Sequence, residues 1–329
     1  KDRLARWIRV NLFIPDARVG WLLTGGKVGR RILKEEDPAI IFSTSPPQTV
    51  QLLARRLARY SHKPWVADFR DPWVEAYWLE GSPRTFLARW VDGMLERKVL
   101  RQADLITTVS EGLGKMFQQK GGARYEIIQN GMEPLSIAPC PTDRFRILYF
   151  GNLTQHQNPE PLLEALTRLP EDVRRQIEVV FVGNIFRGFW PLLERYRSRV
   201  HIVTRPYMPH KELMAYAARE AGVLFRPIAR SAYAESNVGA KTYDYLALRK
   251  PILTLGKPNS VSAQILRETR SGEMFEYEDV EGIANFIKQQ LAIWEKNHYL
   301  WLDNERQLLP YTTRYQVSKL VELFEALNP

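Results

Sequence analysis

Apolar and polar residues alternate along the chain in blocks that predict strands and helices in turn. Short apolar runs bounded by turn residues have the length of buried strands, and the stretches between them show helical periodicity. This alternation is typical of parallel α/β architecture. The predicted strands lie near Ala39–Thr44, Trp65–Phe69, Leu105–Val109, Glu126–Gln129, Arg146–Phe150, Glu178–Gly183, His201–Thr204, Gly222–Arg226 and Ile252–Leu255, with a weaker one near Met274–Tyr277.

The pattern is interrupted once, near the middle of the chain. Pro134–Thr142 contains Pro134, Pro139 and Pro141, which cannot continue a helix or a central strand. We therefore place an interdomain linker there, with an N-terminal Rossmann-like domain in residues 1–138 and a C-terminal one in residues 143–305. A chain of 329 residues has the length expected for two domains.

The segment from Glu235 to Gly256 carries the most informative candidate site. A polar loop leads through Gly239 into a short helix, and glycine lets the backbone approach a ligand closely. The first N–H groups of a helix have no partner within it, and together with the dipole and Lys241 they predict a phosphate site. Asp244 lies on the helix face of Ala240, where its carboxylate could hold a sugar diol. The alternative is a solvated amphipathic helix between two strands.

A second candidate site, Asp68-Phe69-Arg70-Asp71, directly follows a predicted strand. In open parallel sheets the ligand crevice lies beyond the carboxyl ends of the strands. Alternation along an extended backbone places Asp68 and Arg70 on one side and Asp71 on the other. Either carboxylate could orient a substrate hydroxyl, and Arg70 could hold a phosphate or fix Asp68. The alternative is a buried Asp–Arg pair that shapes the loop.

Five segments, taken in order, resemble glycosyltransferase family 4. The segment Lys241–Pro251 is similar to that family's Lys-Leu-Tyr-Glu-Tyr-Leu-Ala-x-Gly-Lys-Pro. The other four are Ser45-Pro46-Pro47, Asp68–Trp73, Thr107–Ser110 with Asn130-Gly131, and Tyr149–Leu153. The similarity spans nearly the whole chain, and the ordered set is more specific than any one segment.

The resemblance implies an α/β protein of the GT-B fold, with two Rossmann-like domains whose parallel sheets face each other across a cleft. It implies a retaining transfer of a hexosyl group from a nucleotide-diphosphate sugar, without a cofactor or a tightly bound metal. By the same resemblance Asp244 holds the ribose, and the loop at Val238, Gly239 and Ala240 cradles the diphosphate. A last helix, about 312–329, is expected to pack on the N-terminal domain, and the first strands of that domain are expected to precede Lys1.

The turn at Gly151 departs from the family. Many relatives place an arginine and then a lysine after this turn for the diphosphate, whereas Asn152–Asn158 contains no basic residue. We therefore expect the diphosphate to depend more on Lys241 and on Arg226 at the end of its strand, with Asn152 donating a hydrogen bond.

Two further family features are altered. The Glu-x7-Glu pattern is displaced by one residue, so Glu235 either reaches the donor sugar or is a solvated loop carboxylate. The histidine that many members carry near the Asp68 segment is absent. The roles of the individual residues in that segment therefore stay open.

Two aromatic regions could contact an acceptor or a membrane. Trp73 and Trp78 lie in a polar loop and either stack on a sugar or lipid acceptor or pack inside the domain, while Trp90 is predicted to be in the core. The segment Lys1–Ile14 places Leu4, Trp7, Ile8 and Leu12 on one helical face flanked by basic residues. Such a helix either lies on an anionic membrane surface or packs on the domain.

Composition narrows the partners. The single cysteine, Cys140, excludes a disulfide framework and suits a reducing cytosol, and no apolar run is long enough for a membrane span. The net charge of +10 implies an anionic partner. We expect a nucleotide-sugar, a glycan or lipid-linked acceptor and an anionic cytoplasmic membrane face, in the synthesis of envelope or exported polysaccharide. The alternatives are a nucleotide-sugar epimerase and a nucleic-acid-binding protein, although the basic residues are scattered and form no RNA-binding motif.

Overall fold

A computed structural model gives the structure of the chain and describes residues 2–76, 79, 81–230 and 238–327. The chain forms two compact units. The N-terminal unit comprises Lys1–Asn130 and Arg314–Pro329, and the C-terminal unit comprises Gly131–Thr313. Each unit contains one parallel β-sheet with helices, as the alternating sequence pattern predicted.

The N-terminal unit has a four-stranded sheet in the order β1-β2-β3-β4. Its strands are β1 (Ile41–Ser45), β2 (Trp65–Phe69), β3 (Leu105–Thr108) and β4 (Tyr125–Ile127), and its helices are α1 (Asp2–Leu12), α2 (Trp21–Glu36), α3 (Thr49–Ser61), α4 (Phe86–Leu100) and α5 (Glu111–Gln119). Every residue of β2 is buried, as expected for the centre of a parallel sheet. Ser110 is the N-cap of α5, and its hydroxyl oxygen accepts a hydrogen bond from the Leu113 N–H. Serine is one of the residues preferred at this position.

The C-terminal unit has a six-stranded sheet in the order β10-β9-β8-β5-β6-β7. Its strands are β5 (Phe145–Phe150), β6 (Ile177–Val182), β7 (His201–Arg205), β8 (Val223–Pro227), β9 (Ile252–Leu255) and β10 (Gly272–Phe275). Its helices are α6 (Glu160–Thr167), α7 (Glu171–Arg174), α8 (Trp190–Arg197), α9 (His210–Glu220), α10 (Lys241–Ala247), α11 (Val261–Glu268), α12 (Val280–Asn297) and α13 (Glu305–Leu308). The chain runs from β5 to β7 in one direction and from β8 to β10 in the other. The order therefore reverses between β5 and β8, which is where doubly wound sheets bind ligands.

Side chains from both faces of this sheet enter separate cores. Phe145, Ile147 and Tyr149 belong to one apolar cluster, whereas Leu148 and Phe150 belong to the other. Successive side chains of a strand point to opposite faces, so a strand that is apolar throughout must be covered on both. All ten strands predicted from the sequence are present, and their ends differ from the predictions by no more than two residues.

The boundary between the units lies slightly before the predicted linker. Met132 already belongs to the C-terminal unit, where it pairs with Thr312. The last helix, α14 (Thr313–Leu327), packs in the N-terminal unit, where the Lys319 ammonium donates to the Ile127 carbonyl and Phe324 contacts Phe42.

Candidate active site

The turn after β5 brings glycine and lysine into close contact. Gly151 has φ = +104°, a conformation that favours glycine, and a Cβ at this position would lie 2.8 Å from Lys241 Nζ. Gly183, with φ = +114°, follows the neighbouring strand β6, and a Cβ there would lie 2.6 Å from the Gly151 carbonyl oxygen. The absence of two side chains therefore lets a lysine lie against the end of β5.

Tyr149 holds Lys241 at this turn. The lysine Nζ donates to the Tyr149 hydroxyl over 3.0 Å and lies 4.4 Å from the centre of its ring, a cation–π contact. The tyrosine hydroxyl in turn donates to the Asn152 carbonyl over 2.7 Å. Burial and, to a lesser extent, the positive charge of Arg226 lower the pKa of Lys241 to about 8. The sequence predicted that Lys241 lies at the start of a short helix, as it does, but it did not indicate the contact with Tyr149.

Arg226 adds a second cation at the same place. It lies at the end of β8 with only 6% of its surface exposed, and burial lowers its pKa to about 10. A Cβ at Gly239 would lie 3.7 Å from its Nη2, so the guanidinium reaches the loop that leads into α10. Its Nη1 is buried without a hydrogen-bond partner. A buried donor of this kind is costly unless a ligand satisfies it.

Neither cation forms an ion pair with a carboxylate within the described part of the chain, although the negative charge of Asp244 partly offsets the lowering of the Lys241 pKa. Lys241 and Arg226 form no ion pair with residues 2–76, 81–230 or 238–327. Burying two like charges together carries a desolvation penalty that a mutual repulsion increases. The arrangement is therefore suited to an anionic ligand with at least two charges, such as a diphosphate.

The tip of α10 contributes less than the sequence predicted. The Thr242 and Tyr243 N–H groups already bond to the Gly239 and Ala240 carbonyls, at 2.9 and 3.0 Å. They are therefore not free for a phosphate, because the helix begins with a tight turn. The side chain of Val238 is also only 3% exposed and lies in the apolar core. Val238 could therefore contact the diphosphate only through its backbone.

Asp244 lies beside a histidine that no sequence pattern indicated as part of the site. Its Oδ1 is 3.1 Å from Nε2 of His210, at the start of α9, and its side chain is 35% exposed. The other carboxylate oxygen forms no hydrogen bond with the described residues. Asn152 is exposed, and its Oδ1 accepts a hydrogen bond from Asn184. His210 follows Pro209 at a helix start, a position that carries no signal for a ligand.

In the N-terminal unit, Asp68 is fully buried at the end of β2. Its carboxylate accepts hydrogen bonds of 2.7 Å from Thr44, Thr107 and Arg70. These donors come from β1, β3 and the following loop, so the carboxylate joins the ends of three strands. A carboxylate in this position cannot reach a substrate, because it has no exposed surface and its oxygens are occupied. The prediction of a catalytic Asp68 is therefore corrected to a residue that shapes the loop.

Arg70 lies beside Asp68, on the same side of the loop as the alternation predicted. The Arg70 guanidinium bonds to Asp68 and, through Nη1, to the Ile128 carbonyl over 2.8 Å. It fixes the loop, while its Nη2 forms no hydrogen bond with the described residues and the side chain is 27% exposed. Asp71 is half-buried, and it forms no hydrogen bond or ion pair with the described residues. Burial raises the pKa of its carboxyl group, a property that suits a general base. Asp71 is the remaining candidate in this segment.

Trp73 is buried and Trp90 is exposed, whereas Trp73 was a candidate for contact with the acceptor and Trp90 was predicted to be in the core. Trp73 is 1% exposed, and its indole N–H donates to Asp92 over 2.6 Å, so its ring is not available for stacking on an acceptor. Arg84 binds the other oxygen of the buried Asp92, which makes Trp73 part of a closed network. Burial raises the pKa of Asp92, although both donors favour the carboxylate. Trp90, predicted to be in the core, is 52% exposed.

Helix α1 is attached by a polar residue rather than by its apolar face. Asn11 is buried and bonds to the Pro83 carbonyl and the Thr85 N–H. Leu4 and Leu12 of the predicted apolar face remain 65% and 67% exposed. The periodicity identified the helix, but the one asparagine decides how it packs.

Two of the predicted site residues, Trp78 and Glu235, lie outside the described residues. Trp78 and Glu235 therefore remain predictions at the acceptor and donor sides. Across the described ranges, His, Cys, Asp and Glu side chains form no group of three that could hold a metal ion. Among the described helices, none combines the length and apolar character needed to cross a bilayer.

Two family models match the chain. Residues 2–131 match the model of the glycosyl transferase 4-like domain, and residues 137–301 match that of the glycosyl transferases group 1. No curated protein matches the sequence significantly.

Several solved structures share the fold at low sequence identity. Sucrose-phosphate synthase from Thermosynechococcus elongatus is 15% identical, with a TM-score of 0.66 over 94% of this chain and 79% of that one. Anabaena HepE in complex with UDP is 14% identical, with a TM-score of 0.64 over 91% and 81%. The lipopolysaccharide outer core galactosyltransferase WaaB is 11% identical, with a TM-score of 0.61 over 93% and 80%. Because the two family models cover most of the sequence, the chain belongs to the group 1 glycosyltransferases of family 4, which have the GT-B fold.

Proposed function

We propose that the protein is a retaining glycosyltransferase that moves a hexosyl group from a nucleotide-diphosphate sugar to a glycan or lipid-linked acceptor. The observation that carries the donor assignment is the pair of buried cations, Lys241 and Arg226, which form no ion pair with the described residues. Phosphoanhydride oxygens would supply the missing negative charge and the missing acceptor for Arg226 Nη1.

The same two cations account for the chemistry. In the transfer, the bond between the sugar C1 and the β-phosphate oxygen breaks, and C1 forms a bond to an acceptor hydroxyl oxygen. Negative charge grows on the leaving diphosphate, so donors fixed beforehand at Lys241 and Arg226 stabilise the transition state more than the ground state. Tyr149 keeps the lysine in position. No cofactor is part of this proposal.

The nucleoside end of the donor is assigned to Asp244. Its unoccupied oxygen can accept from a ribose hydroxyl while His210 fixes the other oxygen. HepE has been crystallised with UDP and with UDP-glucose, and this supports uridine diphosphate glucose as the first donor to test. A lipopolysaccharide galactosyltransferase among the structural neighbours supports an acceptor in envelope or exported polysaccharide, on the cytoplasmic face of a membrane.

Asp71 is assigned to the acceptor. It is the carboxylate of its segment that retains free oxygens, and its raised pKa suits acceptance of a proton from the attacking hydroxyl. Asp68 and Arg70 hold the backbone that carries it. Asp71→Asn should therefore lower kcat for transfer while leaving the donor affinity unchanged.

The experiment is a calorimetric titration of the protein with nucleosides, nucleoside diphosphates and nucleotide-sugars, followed by transfer assays with the donor that binds. Asp244→Asn should weaken every ligand that contains ribose by about 1.5–3 kcal/mol, roughly ten- to hundredfold. Nuclear magnetic resonance of the products separates transfer with retained anomeric configuration from epimerisation of the donor. Equal affinity of parent and Asp244→Asn for all ligands would remove the ribose assignment.

A further inference from the structure

A strongly basic groove runs between helices α2 and α3 in the N-terminal unit. Its volume is about 440 Å³. It is lined by the cationic residues Lys27, Arg30, Arg55, Arg56 and Arg59 and by Leu22, Leu23, Gly26, Leu57 and Tyr60. Gly25 and Gly29 let the two helices approach closely, since a Cβ at either position would lie within 3 Å of a leucine of α3. The groove lining therefore combines five positive charges with leucine and tyrosine side chains.

The positive charges of the groove are fixed but not neutralised. Arg56 donates to the Leu22 carbonyl, Arg55 to the Gln102 amide oxygen and Arg30 to the Gly26 carbonyl, all of which are uncharged acceptors. None of the five cations forms an ion pair with a residue in the described part of the chain. Helix α3 contains no acidic residue, and of the two glutamates at the end of α2, Glu35 lies beside Arg31.

Apolar side chains stand exposed among these charges. Leu23 lines the groove and is 79% exposed, and Trp21 and Tyr60 are 45% and 44% exposed. Arg18 stacks over Trp21 and Arg30 over Tyr60. Cations interleaved with exposed leucine and aromatic residues are typical of a surface that lies at the boundary between lipid headgroups and acyl chains.

We propose that this α2–α3 groove binds the phosphate groups of an anionic phospholipid surface, with Leu23 entering the interface. The inference extends the proposed function, because it supplies the membrane on which a lipid-linked acceptor would be found. Charge complementarity selects the occupant: five cations without counter-charges match a sheet of lipid phosphates. A nucleic acid would also supply phosphates, but it would leave the exposed leucine in water.

The first test is sedimentation with vesicles of phosphatidylcholine alone and with an equal part of phosphatidylglycerol. The parent should bind only the anionic vesicles. Each charge removed near an anionic surface weakens binding on the order of fivefold. The triple change Arg55→Gln, Arg56→Gln and Arg59→Gln should therefore weaken binding on the order of a hundredfold. A matched triple in the C-terminal unit, Arg168→Gln, Arg175→Gln and Arg197→Gln, lowers the net charge equally and should bind like the parent.

Two controls separate folding from recognition. The double change Lys27→Gln and Arg30→Gln removes charge from the other helix and should weaken vesicle binding by more than tenfold. Both groove variants should melt and bind nucleotide-sugar like the parent, because the groove and the donor site lie in different units. A donor that fails to bind the parent overturns the proposed function alone. Vesicle binding that is unchanged in both groove variants, or weakened equally in the matched triple, overturns the membrane site alone.

A probe at position 23 identifies the ligand. In a Cys140→Ser background, Leu23→Cys labelled with nitrobenzoxadiazole should shift its emission to the blue on anionic vesicles, since the label leaves water. An unshifted emission on bound vesicles would contradict the proposal. So would a duplex DNA that binds as tightly as the vesicles and loses its affinity in the Arg55, Arg56 and Arg59 variant, which would identify a nucleic-acid site.

Discussion

In the N-terminal unit the buried charges are neutralised by the chain, whereas the C-terminal unit contains two buried cations, Lys241 and Arg226, that form no ion pair with the described residues. Asp68 is paired with Arg70, Asp92 with Arg84, and Lys120 contacts both Glu75 and Glu96. In the C-terminal unit, tyrosines are the main partners of Arg226 and Lys241, and the one carboxylate that acts on Lys241, Asp244, forms no ion pair with it. Arg146 of the same unit is paired with carboxylates, so this lack of a counter-charge is a property of the two cations.

This difference separates charges that serve folding from charges that serve a ligand. A buried pair is locked once formed, because removing one partner leaves the other charge desolvated and alone. Buried cations without counter-charges destabilise the free protein, and an anionic ligand relieves that cost. The first kind should respond to mutation through stability, and the second through affinity.

The largest effect is expected for Asp92→Ala. The change leaves Arg84 and the Trp73 N–H buried without their acceptor. It should lower the free energy of unfolding by about 3–5 kcal/mol. Denaturant titration followed by fluorescence measures this. Glu194→Ala, which breaks an exposed pair with Arg197, should cost less than about 1 kcal/mol. If the two changes had equal effects, the buried network would not stabilise the fold.

Next in size are Arg226→Met and Lys241→Met. Each should weaken a nucleotide-sugar by about 1.5–3 kcal/mol, because a charge-assisted contact to phosphate is lost. The free protein should unfold at the same or a slightly higher denaturant concentration, since a desolvated charge has been removed. A plain nucleoside should bind both variants like the parent. If the variants were clearly destabilised and bound the nucleotide-sugar like the parent, these two cations would serve folding and not the ligand.

The stability of the protein and its affinity for a nucleotide-sugar should depend on pH in opposite directions if Lys241 serves the ligand. Burial lowers the pKa of Lys241 to about 8 from an ordinary value of 10.5. The unfolded chain therefore binds more protons than the folded one between these values, so this residue makes stability rise with pH across that window. Ligand binding should show the opposite trend, because the diphosphate favours charged lysine. Affinity for a nucleotide-sugar should fall as pH rises above about 8 in calorimetric titrations, and Lys241→Met should abolish this slope.

The smallest effect is expected for His210→Ala. The histidine contacts Asp244 at the surface, with side chains 69% and 35% exposed, and exposed pairs contribute less than about 1 kcal/mol. Stability should be nearly unchanged, and nucleoside affinity should fall by less than about fivefold, because only the orientation of the carboxylate is affected. His210→Gln should restore part of the affinity. A loss as large as that of Asp244→Asn would mean that His210 contacts the ligand directly.

Local sequence patterns determined the order of elements in this chain. Apolar runs bounded by glycine, proline and polar residues are set by neighbours in sequence, so β2 and β9 could be placed to the residue. The same patterns predicted α/β architecture, and the ordered motifs indicated the family. The glycine before the short helix, Gly239, likewise indicated a place where the backbone could approach a ligand closely.

Tertiary packing alone decided what each polar side chain does. Asp68 and Asp71 are three residues apart and of the same type, yet only the neighbouring strands β1 and β3 supply the threonines that bury one of them. Trp73 is held by a hydrogen bond to Asp92. Lys241 is held by a hydrogen bond to Tyr149, which lies ninety-two positions away along the chain. Charge neutralisation depends on distances in space, which the spacing of residues along the chain does not fix.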